Sequence, residues 1–426
     1  MKILFINKYD IHGGAGIAAF KLAQNLSRYY KTQNSFIVGI KKSNDGNIFQ
    51  SRDNKFQIEV ERGLNFLLST FGLQYFFFPF STKRILGILD RIKPDIINLH
   101  NLHGGYFKTS LLKTICEKYK VVWSLHDMWA LTGSAAYTFG DESWKEMRTF
   151  KAESGIYPYL GINTNKFLMK HKKMIYDSSE FTIVTASEWM YQNVKNSPLL
   201  NSKPTINIPY GIDLNLYSNE GRAKCREKFG IPVNGKVLIF GAEKLDDHRK
   251  GISELIKILE IMSEDLKSSV HLIVLGNGDD LNLNLPSNFI VRKVGYVSDE
   301  ILYSEYLKSA DIFLFPSKDD NLPVMPINSI ACGTPVIAFD VGGCSDIIED
   351  NFNGYLIAPF NLLSFAKKTI SLINDDGKLK SFSINASSLA KEKFSEKRMA
   401  EQYYNLFKNV LNENVSENKI KSGTRQ

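Results

Sequence analysis

The chain of 426 residues is expected to be an α/β protein of two doubly wound parallel sheets, and three observations carry that expectation. Short β-branched apolar runs alternate with amphipathic stretches along the chain, the pattern of βα units around a parallel sheet. The length is more than one hydrophobic core supports and suits two domains of roughly 200 residues each. A segment with two prolines and a glycine, Asn201–Asp213 (NSKPTINIPYGID), interrupts the alternation near its middle. The expected organisation is a first domain over residues 1–205, a second over 206–395, a helix over 396–411 that packs back on the first domain, and a polar tail over 412–426 that reads as disordered.

The expected strands of the first domain are Ile3–Asn7, Ser35–Ile40, Asp95–His100, Val121–His126 and Thr182–Ser187, with helices near 15–30, 81–91, 108–118 and 188–195. Those of the second are Lys236–Gly241, Val270–Gly276, Ile290–Val297, Asp311–Pro316, Pro335–Phe339 and Tyr355–Ala358. Between them Ile252, Leu255, Ile256, Leu259 and Met262 recur at helical spacing, which gives the crossover an apolar face for its sheet. Met399, Tyr403, Leu406, Phe407 and Val410 do the same for the final helix. The apolar run Leu64–Phe80 contains Asn65, Gly72, Gln74 and Pro79. It is marginal for a span of about 20 apolar residues and is expected as a helix lying on a membrane surface or buried in the core.

Composition excludes several classes. With 43% hydrophobic and 23% charged residues, 29 Gly and 13 Pro, the chain is neither collagen-like, nor disordered, nor a disulfide scaffold. Cys116, Cys225, Cys332 and Cys344 lack zinc-site spacing and are too few for a disulfide framework, which suits a reducing cytoplasm. The first apolar run is far shorter than that of a secretory signal and reads as a strand. The excess positive charge is lopsided: residues 1–205 carry 27 basic against 16 acidic side chains, a net of +11, and residues 206–426 carry 26 against 29, a net of −3. Nucleic-acid binding is disfavoured, because the basic residues are dispersed along helices without a recognition motif.

The candidate chemistry lies where strands end, since open α/β sheets bind ligands at their carboxyl edge. The first strand is followed by His12-Gly13-Gly14-Ala15-Gly16 opening a helix, where glycines let backbone N–H groups approach an anion or a sugar. The dinucleotide fingerprint would need different glycine spacing and an acidic residue after the second strand; that strand ends in Lys41-Lys42. His126-Asp127 ends the fourth strand, and His100 and His103 stand at the end of the third. Imidazoles there can bond a substrate hydroxyl or stabilise developing charge. In the second domain Arg249-Lys250-Gly251 opens a helix and offers two cations to a diphosphate. The stretch Phe315–Gly343 places Asp319 and Asp320 at a strand's carboxyl edge beside a short helix. Two sheets facing each other across a cleft would bring two substrates together, which suits group transfer.

These motifs together resemble glycosyltransferase family 4, the group 1 transferases of GT-B fold with two Rossmann-like domains, over residues 1–411. The resemblance rests on GGAG after the first strand, LHD at His126, IPYGID at Ile208–Asp213, RKG at Arg249–Gly251, LGNGD at Leu275–Asp279, GYVSD at Gly295–Asp299 and PSKDDNLP with ACGTPVIAFDVGG. It implies an anomer-retaining transferase that needs no metal or cofactor and takes a sugar from a nucleotide diphosphate donor on the second domain. The acceptor, lipid-linked or saccharide, would sit on the first domain in cell-surface polysaccharide synthesis. The enzyme would be cytoplasmic, with peripheral contact to an anionic membrane.

Residue by residue, the resemblance implies that His126, Asp127 and Asp320 are catalytic. Gly14, Gly16, Arg249, Lys250, Gly276, Gly295, Tyr296, Val297, Leu322, Val324, Met325 and Asn328 would bind the donor, and His12, His100 and His103 the acceptor. Asp320 stands where the family has the first glutamate of its Glu, seven residues, Glu signature. Asn328 stands where it has the second, and offers a carbonyl oxygen but no charge to a ribose. Pro323 and Pro326 remove two N–H donors near the expected diphosphate and leave those of Val324, Met325 and Ile327. Alternative readings are a nucleotide-sugar epimerase or hydrolase of the same fold, or a degenerate transferase acting as a non-catalytic partner.

Overall fold

The structure, a computed structural model, describes residues 1–148, 157–278 and 284–422, with side chains up to residue 412. Asp279 of the LGNGD motif and residues 423–426 lie outside the described residues. The chain forms two compact units, one of Met1–Pro209 with the terminal segment from Lys397, the other of Tyr210–Glu396.

The first unit holds a parallel seven-stranded sheet of β1 (Lys2–Tyr9), β2 (Gln33–Ile40), β3 (Ile48–Gln50), β4 (Ile96–Leu99), β5 (Lys120–Leu125), β6 (Thr182–Thr185) and β7 (Thr205–Asn207). Their order in the sheet is β3-β2-β1-β4-β5-β6-β7. Alternation along β1 sends Ile3 and Phe5 to one face and Leu4 and Ile6 to the other, and both faces are covered. Ile3 and Phe5 pack with Ala19, Leu22 and Leu26 of the helix Gly13–Tyr30 and with Met399, Tyr403 and Phe407 of the terminal helix. Tyr30 stacks on Tyr404 at 4.2 Å between ring centroids, so the returning helix is part of this unit's core.

In the second unit β8 (Val237–Lys244), β9 (Val270–Asn277), β10 (Phe289–Gly295), β11 (Ile312–Phe315), β12 (Val336–Phe339) and β13 (Gly354–Ile357) form a parallel six-stranded sheet. Their order is β10-β9-β8-β11-β12-β13. Each sheet reverses its strand order once, between β1 and β4 in the first unit and between β8 and β11 in the second. At those switch points neighbouring crossovers leave on opposite faces and open a crevice at the carboxyl edge.

Besides the helices Asn165–Asp177, Leu362–Ile373 and Asp376–Lys393, which the sequence reading did not give, three features differ from it. β3 and β7 are added edge strands of three residues each, too short for a periodic signal. The run Leu64–Phe80 is not one helix: it ends the helix Lys55–Thr70, crosses a turn with positive φ at Gly72 and Tyr75, and begins a second helix at Pro79. Proline at the first helical position forfeits no bond there, so the break falls where the chain tolerates it. The side chains divide, Tyr75 and Phe78 buried, Phe66, Leu67, Phe71 and Phe77 exposed. Finally, the terminal helix runs Glu396–Ser422, past Asn412 where composition reads as a disordered tail. No described helix is long and apolar enough to cross a membrane.

Candidate functional site

At the carboxyl ends of β4 and β5 the first unit gathers three histidines around one carboxylate. His100 Nδ1 lies 2.7 Å from His126 Nε2, and the two rings stack with centroids 5.0 Å apart. His103 Nε2 bonds Asp127 Oδ2 at 2.7 Å, while Asp127 Oδ1 accepts the Trp129 amide at 2.9 Å and caps a short turn. Burial would raise the Asp127 carboxyl, but His103 and the Trp129 N–H outweigh it and the net shift is downward. Burial holds His126 down to about 4, with Asp127 opposing and His103 adding, so its ring is neutral near pH 7. Neighbours missing from the sequence reading complete the cluster. Buried Lys172 donates to the carbonyls of Trp129 (2.5 Å) and Thr132 (3.0 Å), with its ammonium over the Trp129 ring. Buried Asn98 donates to Val122 O. Asn98 had a signal, being two residues before His100 on one strand face; Lys172 had none, because its partners lie 40 residues away.

His12 stands just before the helix Gly13–Tyr30 that follows β1, and Gly14 and Gly16 lie in that helix's first turn. His12 is exposed with its ring edge-on to Tyr9, and a Cβ at Gly16 would sit 3.2 Å from the Asp10 carbonyl oxygen, so glycine permits that close approach. Beside the histidines a cavity of about 400 Å³ is lined by Glu59, Arg62, Phe66, Gln74, Tyr75 and Tyr159. The Tyr75 hydroxyl accepts the Gly104 amide at 3.1 Å, which joins that cavity to the loop bearing His103.

In the second unit the switch point brings together Arg249, Lys250 and Asp320. Arg249 donates to Asp320 Oδ2 at 3.0 Å and to the Asp319 carbonyl at 3.0 Å, and Lys250 Nζ reaches the same Oδ2 at 2.6 Å. Burial raises the Asp320 carboxyl, but the two cations more than reverse that, so it is ionised. This pairing was not foreseen in the sequence, where cations and carboxylate read as separate ligand groups. The two loops are clasped by backbone bonds, with Lys318 N donating to Arg249 O at 2.8 Å. Gly251 (φ 76°) and Gly342 (φ 55°) occupy left-handed backbone where a Cβ would meet Pro316 O and Asp320 O within 2 Å.

The other expected donor residues line the same edge of this unit. The helix Val324–Ala331 begins after Pro323, so Val324 and Met325 present N–H groups without intrahelical partners. Leu322 is buried, and Met325 lies against Gly241, where a Cβ would sit 2.3 Å from the methionine methyl. Asn328 is buried, and its Oδ1 has no hydrogen-bond partner among the described residues. Gly276 (φ 137°) is the penultimate residue of β9, and Gly295 (φ 78°) ends β10 before exposed Tyr296 and half-buried Val297.

Residues 222–389 match the family described as glycosyl transferases group 1. An uncharacterized glycosyltransferase of Methanocaldococcus jannaschii, MJ1607, is 26% identical over 76% of this chain and 78% of its own. The putative colanic acid biosynthesis glycosyl transferase WcaC of Escherichia coli is 22% identical over 74% of this chain and 77% of its own. The solved structure of HepE from Anabaena in complex with UDP-glucose superposes with a TM-score of 0.65 at 16% identity, covering 96% of this chain and 100% of the other.

Proposed function

Because the chain is a group 1 glycosyltransferase of GT-B fold, we propose that it transfers a sugar, with retention of anomeric configuration, from a nucleotide diphosphate donor on the second unit to a saccharide or lipid-linked acceptor on the first. The product is a cell-surface polysaccharide or its lipid-linked precursor, the class of glycoconjugate named for the relative WcaC. The observation that carries this reading is the convergence of Arg249 and Lys250 on one buried carboxylate at the second sheet's switch point. Two cations fixed by packing, beside the free amides of Val324 and Met325, match a diphosphate's charge and its need for several donors. The Oδ1 of Asn328 is buried with no partner among the described residues, and turning it to a ribose hydroxyl would supply the hydrogen bond without the missing glutamate charge. HepE, a structural neighbour, was solved with UDP-glucose, which favours a uridine nucleotide as the first donor to try.

Mechanistically, Arg249 and Lys250 stabilise the departing diphosphate. Its oxygen stays on the face of attack and takes the acceptor's proton, so the new bond forms on the side the old one leaves. The protein supplies position and electrostatics. His126, neutral and held by its neighbours, lies with the sugar, and the cavity under Phe66 and Tyr159 takes the acceptor. Exposed Phe66, Leu67, Phe71 and Phe77, on the unit with the basic excess, would rest on an anionic membrane where a lipid-linked acceptor resides. The test is turnover of purified protein with UDP-sugars and lipid-linked saccharide acceptors, reading nucleoside diphosphate release and the product's anomeric coupling by NMR. Acceptor-dependent release with a retained anomer is expected; release without acceptor would mark a hydrolase, and an inverted anomer would overturn the mechanism.

A further inference from the structure

A row of hydrogen-bonded side chains runs from the terminal helix to His126. Tyr403 Oη lies 3.0 Å from Ser124 Oγ, which accepts Asn98 Nδ2 at 3.1 Å; Asn98 Oδ1 lies 3.0 Å from His100 Nε2, and His100 Nδ1 lies 2.7 Å from His126 Nε2. Tyr403, Ser124, Asn98 and His100 are buried, and His126, at the end of the row, is half-exposed.

The chemistry of this row fixes its protons. Asn98 Nδ2 also lies 3.0 Å from the Val122 carbonyl oxygen, which can only accept, so the amide nitrogen faces Val122 and the oxygen faces His100. An amide oxygen can only accept, so His100 Nε2 carries a hydrogen. Burial, with His126 alongside, drives His100 toward its neutral form, which leaves its Nδ1 bare. The hydrogen between the two rings therefore belongs to His126 Nε2.

We propose that Asn98 and His100 are positioning residues that hold His126 as the neutral Nε2–H tautomer, making Nδ1 the only acceptor on that ring. Whatever meets Nδ1 must donate a hydrogen, so His126 selects a sugar hydroxyl and turns away a phosphoryl oxygen. This selection rests on the reading of His126 as a ligand contact; the tautomer does not. The titratable groups facing His126 are His100, His103 and Asp127, with Lys8 and Lys172 facing Asp127 in turn. Asn98→Asp supplies a carboxylate that cannot donate to Val122 and favours a protonated His100. That cation would donate through Nδ1 to His126 Nε2 and push the His126 hydrogen onto Nδ1.

The full-length protein, labelled with nitrogen-15 at histidine and assigned with His126→Gln, tests this by nitrogen chemical shifts and couplings between pH 5.5 and 8. His126 is expected to show a protonated Nε2 and a bare Nδ1 throughout. Folded Asn98→Asp is expected to show the reverse, with kcat lowered about tenfold or more and the acid limb of its pH profile moved upward. A wild-type His126 protonated on Nδ1, or cationic at pH 7, overturns the proposal, as does a folded Asn98→Asp that keeps the Nε2–H form. If Asn98→Asp does not fold, the wild-type spectrum decides alone. Unchanged donor binding and turnover in His126→Gln would defeat the ligand role and leave the tautomer standing.

Discussion

Asp320 bonds both cations of the candidate diphosphate site, and a carboxylate in that place competes with the ligand whose charge it mimics. Replacing it by asparagine keeps the shape and removes most of the competition. Asp320→Asn is expected to bind nucleoside diphosphate about threefold to tenfold more tightly in calorimetric titration, since charge-assisted bonds are each worth about 1.5–3 kcal/mol and only part of that is released. Turnover should fall in the same variant if Asp320 also holds the donor sugar; equal affinity in both proteins would show that the carboxylate does not compete. His126 makes a second prediction at this scale. Burial lowers it from its ordinary 6.5 to about 4, so between those values the unfolded chain binds a proton that the folded chain refuses. The stability contributed by the neutral ring is therefore complete above pH 6.5 and is lost as the pH falls toward 4. His126→Gln is expected to flatten the fall in unfolding free energy over that window in urea titrations at several pH values, and an unchanged slope would contradict the assignment.

The loop after β11 is shaped by glycine as much as by its charged residues. At Gly342 a Cβ would lie 1.6 Å from the Asp320 carbonyl oxygen, and the backbone there has φ 55°. Gly342→Ala should cost at least about 2 kcal/mol from positive φ and the clash together, read as a lower denaturant midpoint. It should also weaken nucleotide binding, because Arg249, held by the Asp319 carbonyl and by Asp320, loses its fixed place when that loop shifts. The same glycine lies in the legible motif that ends at Gly343, and most longer elements were legible in the same way, because β-branched runs and helical spacing repeat over enough residues to be read. The helices Asn165–Asp177, Leu362–Ile373 and Asp376–Lys393 went unread, and the rest of what escaped was short or non-local. β3 and β7 are three residues long, and the break in Leu64–Phe80 depends on Gln74 donating to the carbonyls of Pro158 and Tyr159, more than 80 residues away. In the sites, His126, Arg249 and Asp320 were visible from strand-end position. Their mutual bonds were not, since the ion pairs of Asp320 span about 70 residues and the bond from Ser124 to Tyr403 spans 279.

The basic excess and the exposed side chains of the run Leu64–Phe80 fall on the same unit. Residues 1–205 hold the excess of 27 basic over 16 acidic side chains, and Phe66, Leu67, Phe71 and Phe77 are exposed there. Sedimentation with vesicles containing phosphatidylglycerol is expected to capture the protein, with retention falling as salt rises past 0.3 M, where the Debye length is only about 5–6 Å. Phe66→Ser with Phe71→Ser should reduce capture about tenfold or more, given roughly 1.5–3 kcal/mol for each large apolar side chain buried; equal capture by neutral vesicles would argue against a basic face. The terminal helix carries a different consequence. Its residues Met399, Tyr403 and Phe407 close the first unit's core, yet they follow all of Tyr210–Glu396 along the chain. A nascent chain on the ribosome therefore makes the second unit whole before the first. The row leading to His126 gains Tyr403, its last member, only after the whole of the second unit has been made, so nucleotide binding should mature during translation before the histidine cluster does.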